Sequence, residues 1–210
     1  MARNQQLFEG IQSGNRKMVV DLVQQEIEGN GDVVELLNGT MIPAMRDIGE
    51  QFSRNEVYVP EMLIAARAMQ SGLDIIEPLL AQAGHKARAR IAIGTVQGDL
   101  HDIGKNLVAM MLKGAGFEVE DMGVDCTVEQ FEEAVSRGAD VVCLSALLTT
   151  TMPYMHTVVS HFGNRKDVRI VVGGAPVTAE YAQEIGAHGY GTDANDAVRA
   201  VEECLQLSTG

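Results

Sequence analysis

Apolar residues recur at helical spacing through the first 84 positions of the chain, and none of these stretches has the β-branched, glycine-bounded composition of a buried strand. Asn15 and Asp32 stand where the N-caps of two helices are expected. Pro60 suits the first turn of a longer helix, whose last turns Pro78 is expected to bend. The pattern therefore predicts an all-helical N-terminal domain.

The pattern changes from residue 90 onward, where short apolar runs predict strands at RIAIGTV (90–96), FEVEDMG (117–123), DVVCLSAL (140–147) and VRIVVGG (168–174). Amphipathic stretches of helix length separate these runs, and strands that alternate with helices predict a parallel sheet. A weaker fifth strand is expected around residues 188–190, before a last helix. The second part is therefore predicted to be a flavodoxin-like (Rossmann-type), doubly wound five-stranded sheet in the order 2-1-3-4-5.

The segment between the two patterns, residues 82–90, has small residues, a short basic run and no apolar periodicity. Such a composition is typical of a linker. We expect an α + α/β chain with a helical domain at residues 1–87 and the sheet domain at residues 88–210.

Composition narrows the possible functions. The 210 residues include 16 Lys and Arg against 29 Asp and Glu, a net charge of −13, which disfavours nucleic acid as a partner. The cysteines, Cys126, Cys143 and Cys204, form no CxxC pair, so a disulfide framework is not indicated and a reducing cytoplasm fits best. No stretch approaches the roughly 18 apolar residues of a membrane span, so no membrane association is expected.

Residues that can bind a ligand or take part in chemistry follow three of the predicted strands. Parallel sheets bind ligands beyond the carboxyl ends of their strands, where the strand order reverses. The first strand runs into GDLHDIGKN (98–106), the third into SALLTTT (145–151) and the fourth into a glycine pair. One such block alone would be weak evidence for a binding site, but three blocks in order, each at a strand end, indicate one. The blocks contain Asp99, His101 and Gly104, then Ser145 and Leu147, then Gly173 and Gly174.

This ordered set, DxHxxG then SxL then GG, resembles the signature of the cobalamin-binding family. The resemblance implies a corrinoid whose benzimidazole is displaced from cobalt, with His101 as the lower axial ligand. Asp99 lies two residues earlier, where its carboxylate can hold the other imidazole nitrogen. Thr151 stands where the similar methionine synthase has a serine that completes a relay, so the resemblance assigns a role in the chemistry to Asp99, His101 and Thr151.

The displaced nucleotide tail needs a slot, which glycines can open because they lack a side chain. Hydroxyls at Ser145 and Thr149 can line it. The sheet-domain residues expected to contact the cofactor are Gly98, Asp99, Leu100, His101, Asp102, Ile103, Gly104, Ser145, Leu147, Thr149, Gly173, Gly174, Tyr190, Gly191 and Ala194.

The helical part is also similar to a known domain. Residues 55–69, NEVYVPEMLIAARAM, resemble the four-helix cap that precedes the cobalamin domain in methionine synthase and in corrinoid methyl carriers. The resemblance implies that Tyr58 and Val59 contact the upper face of the corrin and shield a reactive methyl group from water.

The function that the resemblance implies is methyl carriage by a subunit that has no catalytic site of its own. The cofactor would be cobalamin, as methylcobalamin and cob(I)alamin, or a related corrinoid. A substrate-specific methyltransferase would load the methyl group onto cobalt, and a second methyltransferase would pass it to tetrahydrofolate or coenzyme M. A reductive activating protein would restore oxidised cobalt.

Other functions remain open at this stage. The cobalamin subunit of a carbon-skeleton mutase shares the three blocks but normally lacks a helical cap. A cobalamin sensor or storage module would also bind the cofactor. A receiver-like phosphate acceptor gathers acidic residues at strand ends, but it leaves Ser145, Gly173 and Gly174 unexplained.

Overall fold

The N-terminal helices begin at polar residues whose side chains accept hydrogen bonds from the first helical amides. In the computed structural model, which describes residues 4–163 and 165–207, Asn15 Oδ1 accepts from Met18 N at 3.1 Å and Asp32 Oδ1 accepts from Val34 N at 2.9 Å. Asn4 caps the first helix in the same way. The predicted caps at Asn15 and Asp32 are confirmed.

The described part of the helical region consists of four helical segments. A π-helical turn, Leu37–Met41, joins α3 to α4 without a break, so these two helices form one segment. The helices are α1 (Gln5–Gln12), α2 (Arg16–Glu28), α3 (Val33–Leu36), α4 (Ile42–Ser53) and α5 (Val59–Gln82).

Helix α5 is the longest, and Pro60 lies in its first turn as predicted. Glu61 Oε2 accepts a hydrogen bond from Tyr58 N at 3.1 Å, which stabilises the start of the helix. The helix continues through Pro78 to Gln82. At Gly72 an added Cβ would lie 2.8 Å from Met41 Cε, so this glycine permits close packing within the helical core.

Parallel strands form a five-stranded sheet in the described second part of the chain, in the order β2-β1-β3-β4-β5. The predicted fold class and strand order are confirmed. The strands are β1 (Arg90–Val96), β2 (Glu118–Cys126), β3 (Val141–Ser145), β4 (Arg169–Gly173) and β5 (Gly189–Gly191). The helices between and after them are α6 (Ile103–Gly114), α7 (Val128–Ser136), α8 (Met152–Phe162), α9 (Ala179–Glu184) and α10 (Ala194–Cys204).

Most residues of the sheet core are aliphatic, and its largest buried side chains include Phe131, Met155 and Phe162. Cys126 and Cys143 are buried in it, and burial raises the pKa of their thiols to about 11 and about 12. These two cysteines therefore pack as small apolar residues, as expected.

Strand β2 is less regular than its neighbours and continues three residues beyond its predicted end. Its pairing with β1 shifts register twice, after Ile93 and after Gly94. Gly123 and Asp125 have φ angles of +82° and +54°. The extra residues place Asp125 beside the loop that follows β1.

Contacts divide the chain into two compact units. One contains the chain up to Arg88 together with Met110–Gly116, and the other contains Ala89–Ala109 and the chain from Phe117 onward. No helix among the described residues has the length and apolar character needed to cross a membrane.

Candidate functional site

One row of paired residues crosses the carboxyl end of the sheet. Thr95 in β1 is paired with Ser145 in β3, Ser145 with Gly173 in β4, and Gly173 with Gly191 in β5. Three of the four were predicted to contact the cofactor, and Thr95 was not. Because the row contains only small residues, this edge of the sheet leaves room for a ligand or a closely packed helix.

The loop between β1 and α6, residues 97–102, is called the His101 loop below. Its Asp99 carboxylate is fully buried and binds donors through both oxygens. Oδ1 accepts from His101 N at 3.1 Å and lies 2.7 Å from His101 Nδ1. Oδ2 accepts from Leu147 N at 2.8 Å, Leu148 N at 3.2 Å and Thr151 Oγ1 at 2.8 Å. The three residues expected to act together are therefore in one hydrogen-bonded cluster.

These contacts determine the charge of Asp99. Burial by itself would raise the pKa of this carboxyl, but the hydrogen bonds from Leu147, His101 and Thr151 outweigh it and hold the pKa well below its ordinary value. An ionised carboxylate only accepts hydrogen bonds, so it favours the imidazole tautomer with the proton on Nδ1. The Nε2 atom of His101 then has a free lone pair.

The His101 side chain is half exposed, and its Nε2 makes no hydrogen bond to the residues that the structure describes. Two large apolar side chains close to it in sequence are exposed as well, Leu100 by 71% and Ile103 by 80%. Leu147, whose amide binds the same Asp99 carboxylate, is exposed by 43%. Soluble proteins seldom gather exposed apolar side chains unless a partner or ligand covers them. A half-exposed imidazole beside apolar side chains suits a flat, largely apolar ligand that contains a metal.

The site glycines differ in what surrounds them. An added Cβ at Gly104 would meet nothing within 4 Å, so this glycine borders open space. At Gly174, with φ +131°, an added Cβ would lie 1.9 Å from Ala146 O. At Gly173 it would lie 3.1 Å from Gly191 O. Close packing at the strand ends therefore explains why position 174 requires a glycine. Gly104, by contrast, leaves space that a ligand can fill.

The remaining predicted residues of the sheet unit lie at the same strand ends or just after them. Asp102 and Thr149 are exposed in loops, and Gly98 adopts a φ of +85°. Tyr190 Oη donates to Val177 O at 2.9 Å, and Ala194 is the buried first residue of α10.

Tyr58 and Val59 belong to the helical unit. Tyr58 immediately precedes α5 and Val59 is its first residue, and their side chains are 65% and 38% exposed. Both are thus available for contact with a ligand or a partner.

Sequence reasoning missed three residues that hold the His101 loop. Buried Thr95 donates through Oγ1 to His101 O at 2.8 Å. Asp125 Oδ1 accepts from Gly98 N at 2.7 Å. The Leu148 amide binds Asp99. A hydroxyl near the end of an apolar strand, directly before the DxHxxG block, was a usable signal for Thr95.

The site fits the corrinoid that the resemblance implies. A corrinoid brings its own equatorial ligands, so the protein needs to supply one axial donor, and His101 offers Nε2 for it. The exposed apolar side chains suit contact with the largely apolar face of a macrocycle. The open space at Gly104 is where a ligand can approach the backbone closely.

Comparison with protein families gives an independent result. The family model described as "B12 binding domain" matches residues 89–199, and a second model with the same description matches residues 3–77. Together they cover the sheet region and most of the helical region.

Individual relatives agree with the family match. The trimethylamine corrinoid protein of Methanosarcina barkeri is 38% identical over 205 residues, which cover 95% of this chain and 94% of that protein. The crystal structure of a cobalamin-binding protein from Desulfitobacterium hafniense is 28% identical, with a TM-score of 0.77 and coverage of 94% and 96%. The methanol:cobalamin methyltransferase complex of M. barkeri contains the same fold, at 24% identity and a TM-score of 0.82 over 98% of this chain and 84% of that one.

Proposed function

The chain belongs to the B12-binding corrinoid proteins of methyltransferase systems, and from this membership we propose that it carries a methyl group from a substrate-specific methyltransferase to a second methyltransferase. Cobalamin is its cofactor. The cofactor is bound with its benzimidazole displaced and with His101 Nε2 as the lower axial ligand. The observation that carries the proposal is the contact between the ionised, buried Asp99 and His101 Nδ1.

When bound, the corrinoid supplies a cobalt atom that accepts and releases a methyl group. The protein's own part is to place and polarise one imidazole. Asp99 keeps the proton on Nδ1 and makes Nε2 a better donor, as carboxylates do behind metal-bound histidines. Thr151 and the two backbone amides keep Asp99 ionised and oriented.

Other residues bind the rest of the cofactor. The exposed Leu100 and Ile103 would pack against the corrin, and the open space beside Gly104 would admit the nucleotide tail. Ser145 and Thr149 would offer hydroxyls to the nucleotide, and Gly173, Gly174 and Gly191 would leave room beside the backbone. Tyr58 and Val59, both exposed, are proposed as further cofactor contacts. We place the boundary of the helical domain at residues 87/88.

The partners are inferred from the relatives. The M. barkeri relative is named for trimethylamine, and the complex with the same fold for methanol. We propose a small methylated donor selected by the first methyltransferase, an acceptor of tetrahydrofolate or coenzyme M, and a reductive activating protein, all in the cytoplasm. The B12-binding match at residues 3–77 favours a carrier over a mutase subunit without a helical cap.

Electron paramagnetic resonance tests the axial ligand. We expect the wild-type protein loaded with cob(II)alamin to show hyperfine coupling to one imidazole nitrogen, and His101→Ala to lose it. His156→Ala, which removes an exposed histidine of α8, should keep it. Persistence of the coupling in His101→Ala would refute the assignment.

Methyl transfer is tested separately. The protein reconstituted with hydroxocobalamin, reduced and mixed with candidate donors and their methyltransferases, should give the spectrum of methylcobalamin. If the protein bound adenosylcobalamin but no other cobalamin, and transferred no methyl group from any donor, the result would support the alternative function as a mutase subunit.

A further inference from the structure

The last residues of β2, 121–126, are called the β2 end below, and they have an unusual backbone. Asp125 has a left-handed φ of +54°, which only a few per cent of non-glycine residues adopt, although Asp tolerates it better than most. The register shifts between β1 and β2 lie beside it. Unfavourable backbone of this kind persists where surrounding contacts require it.

Asp125 makes two contacts with the His101 loop. Its Oδ1 accepts from Gly98 N at 2.7 Å, and its own amide donates to Asp99 O at 3.1 Å. The first has a charged acceptor and is therefore stronger than a bond between neutral groups. One residue thus fixes both Gly98, whose φ is +85°, and the backbone of the residue that orients the imidazole.

The β2 end also contacts the chain on the other side of His101. Lys105, in the first turn of α6, is buried, and its Nζ lies 2.6 Å from Asp121 Oδ2. Asp121 Oδ1 in turn accepts from Gly123 N at 2.9 Å. The segment that contains His101 is therefore attached to the β2 end both before and after the imidazole.

We infer that Asp125 is a positioning residue for His101: it holds Gly98 and Asp99 so that Asp99 Oδ1 faces Nδ1 before the cofactor arrives. The inference rests on the proposed function, because it assigns Asp125 a task in presenting the axial ligand. Preorganisation of this kind lowers the entropic cost of binding. Without the carboxylate, Gly98 loses its acceptor and the loop samples conformations in which the imidazole is displaced.

Two substitutions separate the carboxylate from the backbone conformation. Asp125→Gly removes the acceptor and tolerates the left-handed φ without strain. Asp125→Asn keeps an oxygen acceptor and also tolerates this φ, so it should restore most of the function. Asn30→Gly is the matched control, because Asn30 has a φ of +56° in the connection between α2 and α3.

The first measurement uses the protein without cofactor. Amide hydrogen exchange of Gly98, followed by NMR, should be at least about tenfold faster in Asp125→Gly than in wild type, and unchanged in Asn30→Gly. Urea unfolding of each variant identifies any general loss of stability. If Asp125→Gly fails to fold, Asp125→Asn serves as the test variant, with an exchange rate expected between those of wild type and a fully released loop. An unchanged Gly98 exchange rate would overturn the inference.

The second measurement uses the loaded protein. We expect the Kd for cobalamin to rise about tenfold in Asp125→Gly, the effect typical of residues that orient metal ligands, and the imidazole coupling of cob(II)alamin to weaken. Asp125→Asn should give a smaller change in both. Wild-type affinity and coupling in Asp125→Gly would refute the positioning role while leaving the methyl carrier intact. Absence of imidazole coupling in the wild type would instead refute the proposed function, and the Gly98 exchange would then decide whether Asp125 holds the loop.

Discussion

Thr151 Oγ1 lies 2.8 Å from Asp99 Oδ2, while the other oxygen of the same carboxylate lies 2.7 Å from His101 Nδ1. The three residues therefore form a hydrogen-bonded chain that ends in the threonine hydroxyl, at the position where the resemblance to methionine synthase implies a serine. The extra methyl group of the threonine is accommodated beside Gly98, where an added Cβ would lie 3.6 Å from Thr151 Cγ2. The departure from the family pattern thus leaves the hydrogen bond to Asp99 in place.

Replacing this hydroxyl tests its contribution. Thr151→Val keeps the shape but removes the donor to a buried charged group, so we expect the free energy of unfolding to fall by about 1.5–3 kcal/mol. Cobalamin should also bind less tightly, because Asp99 is less firmly held. Urea denaturation and a binding titration measure both, and Thr151→Ser should stay close to wild type. Wild-type stability and affinity in Thr151→Val would show that the hydroxyl does not contribute, and a loss confined to Thr151→Ser would show that only packing of the methyl group matters.

The two contrasting glycines give a second prediction. Gly104→Leu should leave the empty protein at least as stable, since replacing a helical glycine gains about 0.5–1 kcal/mol, but the side chain would occupy the ligand space and weaken cobalamin binding. Gly174→Ala should destabilise the protein by about 1–3 kcal/mol through its clash with Ala146 O. Thermal unfolding with and without cobalamin distinguishes the two effects. Normal cobalamin affinity in Gly104→Leu would show that the ligand does not use this space.

Thr95 offers a third test. Thr95→Val removes the donor to His101 O with little change in volume, and the partly buried carbonyl then costs about 1–3 kcal/mol where water does not replace the donor. We expect lower stability and a weaker imidazole coupling in the cob(II)alamin spectrum. Thr157→Val, at an exposed position of α8, is the control and should change neither. An unaltered spectrum would mean that the strand hydroxyl has no influence on the ligand.

The environment of His188 predicts an effect of pH on the stability of the protein without cofactor. Its Nδ1 accepts from Ile170 N at 3.0 Å, and burial, followed by the charge of Arg169, holds the pKa of His188 below its ordinary value of 6.5. Below pH 6.5 the unfolded chain therefore binds more protons at this residue than the folded protein, so its contribution to the free energy of unfolding decreases as the pH falls. His188→Asn retains an acceptor near the position of Nδ1 and cannot titrate. The unfolding free energy of the wild type minus that of His188→Asn should therefore decrease from pH 7.5 to 5.5, and a constant difference would contradict the assignment.

The sequence predicted the sheet because its signals are local. Val and Ile recur in short runs bounded by turn residues, and the three blocks mark the ends of β1, β3 and β4. The pairing of Asp99 with His101 follows from a spacing of two residues, which a single turn of loop can bridge. These parts of the site required no knowledge of distant contacts.

Contacts made across the fold were not predictable in the same way. The amide of Leu148 binds Asp99, and a backbone group carries no sequence signal. Asp125 was missed because β2 was expected to end at Gly123, whereas the irregular strand continues to Cys126. A glycine is needed at position 174 because the carbonyl of Ala146, just after the neighbouring strand β3, lies too close for a side chain.

The exposed side chains of Leu100 and Ile103 affect how stable the protein is against aggregation in the cell. Newly made chains that have not bound the vitamin expose this apolar surface to water, so they are prone to self-association and to binding by chaperones. Under the proposed function, bound vitamin would cover these side chains and, by mass action, would also favour the folded form. The amount of intact protein should therefore follow the supply of vitamin B12 even when synthesis of the chain is constant.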